Sequence, residues 1–198
     1  MYGNGNCSNT ADLINLQSSG YFLRCIEAYF PKSEIFGMDV EPQVLEVAAE
    51  NTGLSKLLLY TDKKLPFEDN SIDAVFSFQV VEHLQEPKDF ILESKRILKQ
   101  NGLFVLTTPN IKGLPARLLG KKWQGYRHDH ISLKAPEEWK TILRENNYTI
   151  LEDGSTGLSG FPVLRIFPLV LLNWVPMSIF GYFKWHLGES YVLIAKKG

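Results

Sequence analysis

Apolar runs alternate with mixed polar segments through the first half of the chain. Runs at Glu34–Asp39, Ser71–Gln79 and Leu103–Thr107 have the length and content of buried strands. Polar side chains stand at or just after their ends: Asp39, then Gln79, Glu82 and His83, then Thr108 and Asn110. Because parallel strands bind ligands at their carboxyl ends, we expect these polar groups to mark a functional edge of a sheet.

Helical patterns separate these strands. Apolar residues at positions 22, 23, 26, 29 and 30 predict one face of a helix over Tyr21–Phe30. Further helices are predicted at Gln43–Asn51, Pro87–Gln100 and Pro136–Asn147. Strands that alternate with helices predict an α/β fold built on a parallel sheet.

Shorter apolar runs complete the predicted sheet. They are Ala11–Gln17, Leu57–Tyr60, Tyr148–Glu152 and Ser190–Ala195. A loop that contains three glycines is predicted from the end of the Leu103 strand to His130. The length of 198 residues fits one domain.

Composition narrows the class of partner. The net charge is −1 with acids and bases intermixed, so we expect no nucleic-acid partner. Cys7 and Cys25 lack the spacing of a metal or redox site, which fits a reducing cytoplasm. The polar N-terminus has no signal-peptide profile, and a cytoplasmic location is predicted.

The segment Phe161–Trp185 is dense in apolar and aromatic residues. Its longest uncharged stretch, Ile166–Phe183, is close to the lower length limit of a membrane span, and two prolines interrupt it. Three readings stay open: a helical appendage, a peripheral contact with the membrane, and a true span. The insertion as a whole is placed at residues 157–188.

Asp39 is the first candidate ligand-binding residue. A carboxylate that follows a second strand can accept two hydrogen bonds from a ribose diol. The alternative is an N-cap for the helix that follows. The turn after the first strand should lie near Ser18–Gly20, where only Gly20 provides the small residue that a close approach to a ligand requires.

Two further groups carry candidate chemistry. Gln79, Glu82 and His83 follow one strand, and a histidine at a site can move protons near neutral pH. Arg127–His130 could supply one histidine and one arginine to a substrate, with solvated or capping roles as the alternative. Since no cysteine or third histidine lies nearby in sequence, no metal is predicted.

Five segments in this order resemble the class I S-adenosylmethionine-dependent methyltransferases of the type 11 and 12 group. They are Gly20–Leu23, Ile35–Asp39, Leu65–Asp73, Val81–Leu84 and Leu98–Asn110. The resemblance implies a Rossmann-like, doubly wound sheet of seven mostly parallel strands with an antiparallel last strand. It implies a single domain over 1–198, with the cofactor-binding half at 11–110 and the substrate-side half at 111–198.

The resemblance also implies roles for individual residues. Gly20, Asp39, Val40, Thr61, Asp62 and Gln79 would bind S-adenosylmethionine, with Asp39 on the ribose and Thr61 or Asp62 near the adenine. His83 and His130 would be the catalytic residues, either one serving as the base. Glu82, Tyr126 and Arg127 would bind the acceptor. The loop Trp123–Ser132 is similar to one found in relatives that act on lipids, quinones or sugar precursors.

The first glycine-rich motif departs from the family, because only Gly20 remains of three glycines. Two hypotheses follow. The chain is a methyltransferase for a small or lipid-linked acceptor, or it is a non-catalytic binding or scaffold protein that has lost the donor pocket. A dehydrogenase is disfavoured, since the Gly-x-Gly-x-x-Gly turn for a pyrophosphate is absent.

Overall fold

The computed structural model describes residues 11–15, 21–39, 41–52, 56–60, 64–157, 184 and 186–198. Within these ranges the strands form one sheet. The strands are β1 (Ala11–Asn15), β2 (Glu34–Asp39), β3 (Leu57–Leu59), β4 (Ile72–Phe78), β5 (Leu98–Pro109), β6 (Tyr148–Ser155) and β7 (Ser190–Lys197). The α-helices are α1 (Tyr21–Tyr29), α2 (Pro42–Thr52), α3 (Pro87–Ile97), α4 (Leu114–Leu119) and α5 (Pro136–Glu145).

The strand order β3-β2-β1-β4-β5-β7-β6 places the first strand in the middle of the sheet. From β1 the chain moves outward through β2 and β3, then returns to the other side of β1 and continues through β4 and β5. All of these pairs are parallel. The direction of winding therefore changes between β1 and β4, which is where ligands bind in open α/β sheets.

The last strand reverses direction. β7 pairs antiparallel with β5 on one side and with β6 on the other. The start of β7, at Ser190, therefore lies beside Pro109 at the carboxyl end of β5. The predicted α/β class is confirmed, whereas most of the predicted insertion at 157–188 lies outside the described residues.

Residues on the two opposite faces of β2 belong to two different hydrophobic clusters. Ile35 packs with Leu23, Ile26 and Ala48 from α1 and α2, while Met38 belongs to a larger cluster with residues of α3 and α5. Because successive side chains of a strand point to opposite faces, the sheet is covered by helices on both sides. This arrangement leaves the strand ends as the natural place for a cleft.

Two sequence predictions in the middle of the chain are wrong. The helix predicted to run to Gln100 ends at Ile97, because Leu98 already pairs with Ile72 in the sheet. The stretch predicted as a loop to His130 contains α4 and a short 3-10 helix at Gly120–Lys122. In both places the tertiary pairing and packing override the local pattern.

The side chain of Asn110 holds the end of β5 and the segment before β7 together through hydrogen bonds. The side chain is fully buried, and its amide nitrogen donates to the carbonyls of His186 and Gly188, at 3.0 and 2.9 Å. Its side-chain oxygen accepts from the N–H of Lys112 at 3.1 Å. Asn110 therefore fixes the approach to β7 against the end of β5, and the expectation that it faces a ligand is corrected.

A network of charges anchors the loop between β3 and β4 to α3. The N–H of Leu65 donates to Glu93 at 2.7 Å, and Arg96 donates to the carbonyl of Leu65 at 3.0 Å. Arg96 also donates to both carboxylate oxygens of Glu93 and to Asp69. Hydrogen bonds from Arg96 hold the pKa of Glu93 below its ordinary value.

This network predicts a pH-dependent contribution to stability. Because the pKa of Glu93 is lowered in the folded state, its contribution is fully present above the unfolded-state pKa and is lost as the pH falls through the folded-state pKa. Glu93→Gln should lower the free energy of unfolding by about 1–3 kcal/mol at neutral pH.

Urea unfolding curves of the wild type and of Glu93→Gln, recorded from neutral pH down to strongly acidic pH, test this prediction. The two free energies of unfolding should converge on acidification. A difference that stays constant over the whole range would show that the carboxylate charge contributes nothing.

Candidate active site

A cavity of about 840 Å³ opens at the carboxyl edge of the sheet. It is lined by residues that follow β2, β3, β4 and β5, by the start of β7 and by the loop after α4. The lining residues are Asp39, Glu41, Val44, Tyr60, Gln79, Val80, His83, Leu84, Phe90, Pro109, Trp123, Gln124, Gly125, Arg127, Asp129, His130, Glu189 and Ser190. The sheet topology thus brings segments that are distant in sequence to one cleft.

Asp39 lies at one end of this cavity, on the last position of β2. Its side chain is only 7% exposed, and Oδ1 accepts a hydrogen bond from the N–H of Glu41 at 3.0 Å. The carboxylate therefore holds the turn into α2 and also lines the cavity, while its contact with a ribose stays a prediction. Tyr60, whose N–H donates to the carbonyl of Asp39 at 2.9 Å, lines the same end.

Several predicted cofactor residues cannot be placed. Gly20, Val40, Thr61 and Asp62 lie outside the described residues. Of the predicted cofactor-binding set, Asp39 and Gln79 are described, and both line the cavity.

Gln79 occupies a constrained position directly after β4. Its φ of 52° lies in the left-handed region, which is uncommon for a residue other than glycine and costs free energy. The surrounding groups favour an amide orientation in which Nε2 donates to Glu82 Oε1 and Oε1 accepts from the N–H of Thr108, both at 3.2 Å. A hydrogen bond from the Gln79 side chain thus connects the end of β4 to Glu82.

Glu82 is fully buried in the short 3-10 helix Val81–His83 and is not among the residues that line the cavity. Its Oε2 has no hydrogen-bond partner among the described residues. Burial raises the pKa of this carboxyl to about 7. Glu82 is therefore buried directly beside the lining residue His83, and the substrate contact expected from the sequence stays a prediction.

His83 and His130 come together from separate segments. Their rings meet edge to face, with centroids 4.7 Å apart. The N–H of Ser132 donates to the carbonyl of Glu82 at 2.9 Å, which fastens the loop that carries His130 to the 3-10 helix. The two predicted catalytic residues are therefore neighbours in the cavity wall.

Backbone carbonyls orient both imidazole rings. Nδ1 of His130 lies 2.8 Å from the carbonyl oxygen of Gly125, and Nδ1 of His83 lies 3.1 Å from that of Asp129. A carbonyl can only accept, so Nδ1 carries a proton in each ring, and the Nε2 of a neutral ring then has a free lone pair. Burial, and next the charge of His130, lower the pKa of His83, which favours its neutral form.

The loop before His130 shapes the far wall. Trp123 is buried, lines the cavity and packs edge to face with Tyr126 at 5.3 Å. Arg127 lines the cavity and donates from two nitrogens to the carboxylate of Asp129, each at 3.0 Å. Tyr126 is half exposed and is not among the lining residues, and the acceptor contact predicted for it stays a prediction.

Sequence reasoning missed several lining residues. Glu41, Tyr60 and Asp129 each stand within two positions of a strand end or a predicted site residue, and this proximity was the available signal. Trp139, on α5, is fully buried in the main hydrophobic cluster and does not line the cavity.

Comparison with known proteins agrees with this geometry. The family model described as "Methyltransferase domain" matches residues 17–106, which include β2, β4 and the Glu82–His83 segment. Residues 17–106 thus match a methyltransferase domain, the type of domain that the sequence resembles. A methyltransferase from Archaeoglobus fulgidus has the same fold, with a TM-score of 0.69 and 16% identity over 96% of this chain and 87% of that one.

Relatives by sequence carry the same type of name. A probable S-adenosylmethionine-dependent methyltransferase of Mycolicibacterium smegmatis is 45% identical over 47 residues, which are 24% of this chain and 18% of that protein. A ubiquinone biosynthesis O-methyltransferase of Pelagibacter ubique is 25% identical over 128 residues, which are 60% of this chain and 53% of that enzyme. The alignments thus span about half or less of these relatives.

The cofactor that the resemblance implies is S-adenosylmethionine. The described residues fit it at the ribose end, where a nearly buried carboxylate at the end of β2 lines the cavity beside an aromatic ring, Tyr60.

Among the described residues, no helix combines the length and the apolar character that crossing a bilayer requires.

Proposed function

We propose that the chain transfers a methyl group from S-adenosylmethionine to a small or lipid-linked acceptor. The supporting observation is that one cavity joins Asp39, at the ribose end, to His83 and His130. A donor held at one end and an acceptor held at the other would share a single cleft, as direct transfer requires.

The lining favours an acceptor with an apolar body and a reacting hydroxyl. Leu84, Phe90, Pro109 and Trp123 give the cavity apolar walls, while the two histidines stand among them. The relatives named as ubiquinone O-methyltransferases point to the same kind of acceptor, an oxygen on an apolar molecule. The lipid contact predicted through 161–185 stays a prediction, since nearly all of that segment lies outside the described residues.

When bound, S-adenosylmethionine supplies a methyl group on a positively charged sulfur, ready for displacement. The chain would contribute alignment and activation. Asp39 would accept hydrogen bonds from the ribose, and Gln79 would border the methionine end. His83 and His130 would act on the acceptor oxygen, with Arg127 as a further contact, while the apolar walls would exclude water.

Turnover with paired acceptors tests this proposal. Formation of S-adenosylhomocysteine should be measured with catechol and with a catechol that carries a long alkyl chain. The alkylated acceptor should show the lower KM, because its chain buries apolar area against the cavity walls. Calorimetric binding of S-adenosylhomocysteine should be measured on the same protein.

The outcomes separate the two hypotheses. Cofactor binding with turnover supports the enzyme. A folded protein that binds no S-adenosylhomocysteine up to millimolar concentration would instead be the non-catalytic scaffold. Equal KM values for the two acceptors would remove the apolar subsite from the proposal.

A further inference from the structure

Three side chains beside the cavity form a cluster with the composition of a metal site. One carboxylate oxygen of Glu82 and one ring nitrogen each from His83 and His130 lie within 4.8 Å of one another. The sequence predicts no metal because no cysteine or third histidine lies near His128 and His130 in the chain. The fold brings the Glu82–His83 segment against His130, so that potential metal ligands from two distant segments lie together.

We propose that Glu82, His83 and His130 bind a divalent first-row transition ion that holds the acceptor oxygen. This inference rests on the proposed function for the role of the ion, but not for its binding. Two imidazoles and one carboxylate form a set that suits zinc, iron or cobalt better than magnesium or calcium, which prefer oxygen ligands.

The outer contacts of the cluster are those of metal-binding histidines. Each ring donates Nδ1–H to a backbone carbonyl, that of Gly125 for His130 and that of Asp129 for His83. Such contacts fix the tautomer and leave Nε2 as the ligand atom, and they recur around protein metal ions. The residue that offers its carbonyl to His130 is a glycine because a Cβ at position 125 would collide with the indole ring of Trp123.

Glu82 provides the independent observation. A fully buried carboxylate with an oxygen that lacks a hydrogen-bond partner among the described residues is costly, and a bound cation would compensate for that cost. Gln79 holds Oε1 through its amide and thereby orients the carboxylate. The positive φ of Gln79 places its side chain in reach of this contact.

The spacing permits coordination after small side-chain adjustments. Ligand atoms at about 2.0–2.2 Å from one ion stand roughly 3–3.5 Å apart, against the limit of 4.8 Å in the cluster. His83 and His130 both line the cavity, so positions on the ion would remain open toward it. An acceptor hydroxyl bound there would release its proton to solvent water at the mouth of the cavity more readily, because a metal ion lowers the pKa of a coordinated hydroxyl group.

Metal titration without any methyl donor tests the site. Untagged full-length protein is first treated with chelator and then titrated with Zn²⁺ by calorimetry and with Co²⁺ by absorption. The wild type should bind one equivalent, and Co²⁺ should show ligand-field bands of a protein-bound ion. Glu82→Gln and His130→Ala should each weaken binding by at least about 10–100-fold.

His128→Ala is the matched control, because His128 is exposed and stands two positions from His130. It should bind both ions like the wild type, and circular dichroism should show that all variants fold. Absence of saturable binding in the wild type would overturn the inference, as would equal affinities in the wild type, Glu82→Gln and His130→Ala. Metal binding without methyl transfer would refute only the proposed function.

Discussion

Asp39→Ala should weaken binding of S-adenosylhomocysteine by about 100-fold, since two hydrogen bonds from ribose to a carboxylate are together worth about 3 kcal/mol. The carboxylate is 7% exposed and lines the cavity at the end of β2. Its loss removes the acceptor that this end of the site offers to a diol. Calorimetric titration of the folded variant measures the effect.

Asp39 also accepts a hydrogen bond from the N–H of Glu41, so the alanine variant loses a structural contact as well. Asp39→Asn separates the two roles, because its amide oxygen can keep that contact while the charge is lost. We expect this variant to fold like the wild type and to bind with intermediate affinity. Asp89→Ala, at an exposed carboxylate on α3, is the control. Wild-type affinity in folded Asp39→Ala would remove the ribose assignment.

His130→Ala should lower kcat/KM for the acceptor by about 100–10,000-fold, which is the usual contribution of a group that assists proton removal. The ring is oriented by the carbonyl of Gly125 and stands beside His83 in the cavity wall. Its loss should affect the acceptor end of the cavity alone. Affinity for S-adenosylhomocysteine should therefore stay within about twofold of the wild type, a change of less than about 0.5 kcal/mol.

His128→Ala serves as the matched control for kinetics too. It removes an imidazole from the same loop, but from an exposed position, so kcat and KM should not change. A His130→Ala enzyme with wild-type turnover would show that the acceptor is activated elsewhere. A parallel loss in both variants would indicate that the loop, and not the cavity-facing ring, carries the effect.

The positions of two predicted donor-end residues, Asp39 and Gln79, follow from the sequence. An apolar run that stops on a carboxylate has a simple physical meaning, because strand ends at one edge of a parallel sheet converge on a ligand. Asp39 and Gln79 both follow this logic and both line the cavity. The same logic fails at Asn110, which follows β5. Its side-chain amide donates its hydrogen bonds to the backbone of residues 186–188.

The acceptor end depends on information that no local pattern contains. The spacing of Glu82 and His83 does not show that the carboxylate is fully buried while the imidazole reaches the cavity. That difference follows from how the 3-10 helix sits between β4 and α3. The approach of His130 depends on the bond between Ser132 and Glu82, which joins segments far apart in the chain.

The predicted boundary between α3 and β5 is wrong because strand pairing overrides the local helix propensity. The residues Leu98–Gln100 fit the end of a helix by composition, but the sheet recruits them into β5 opposite Ile72. Asn101, with φ of 64°, then turns the strand at a position where asparagine is among the few residues that tolerate a positive φ. The asparagine at this position is therefore a sequence signal for a bend within the strand.

A crystal structure of the protein soaked with S-adenosylhomocysteine tests the central claim most directly. The account predicts that the ribose hydroxyls lie within hydrogen-bond distance of the Asp39 carboxylate. It also predicts that the sulfur lies in the same cavity, on the side of Gln79 that faces His83. A cofactor bound outside this cavity, or with its ribose away from residue 39, would contradict the account.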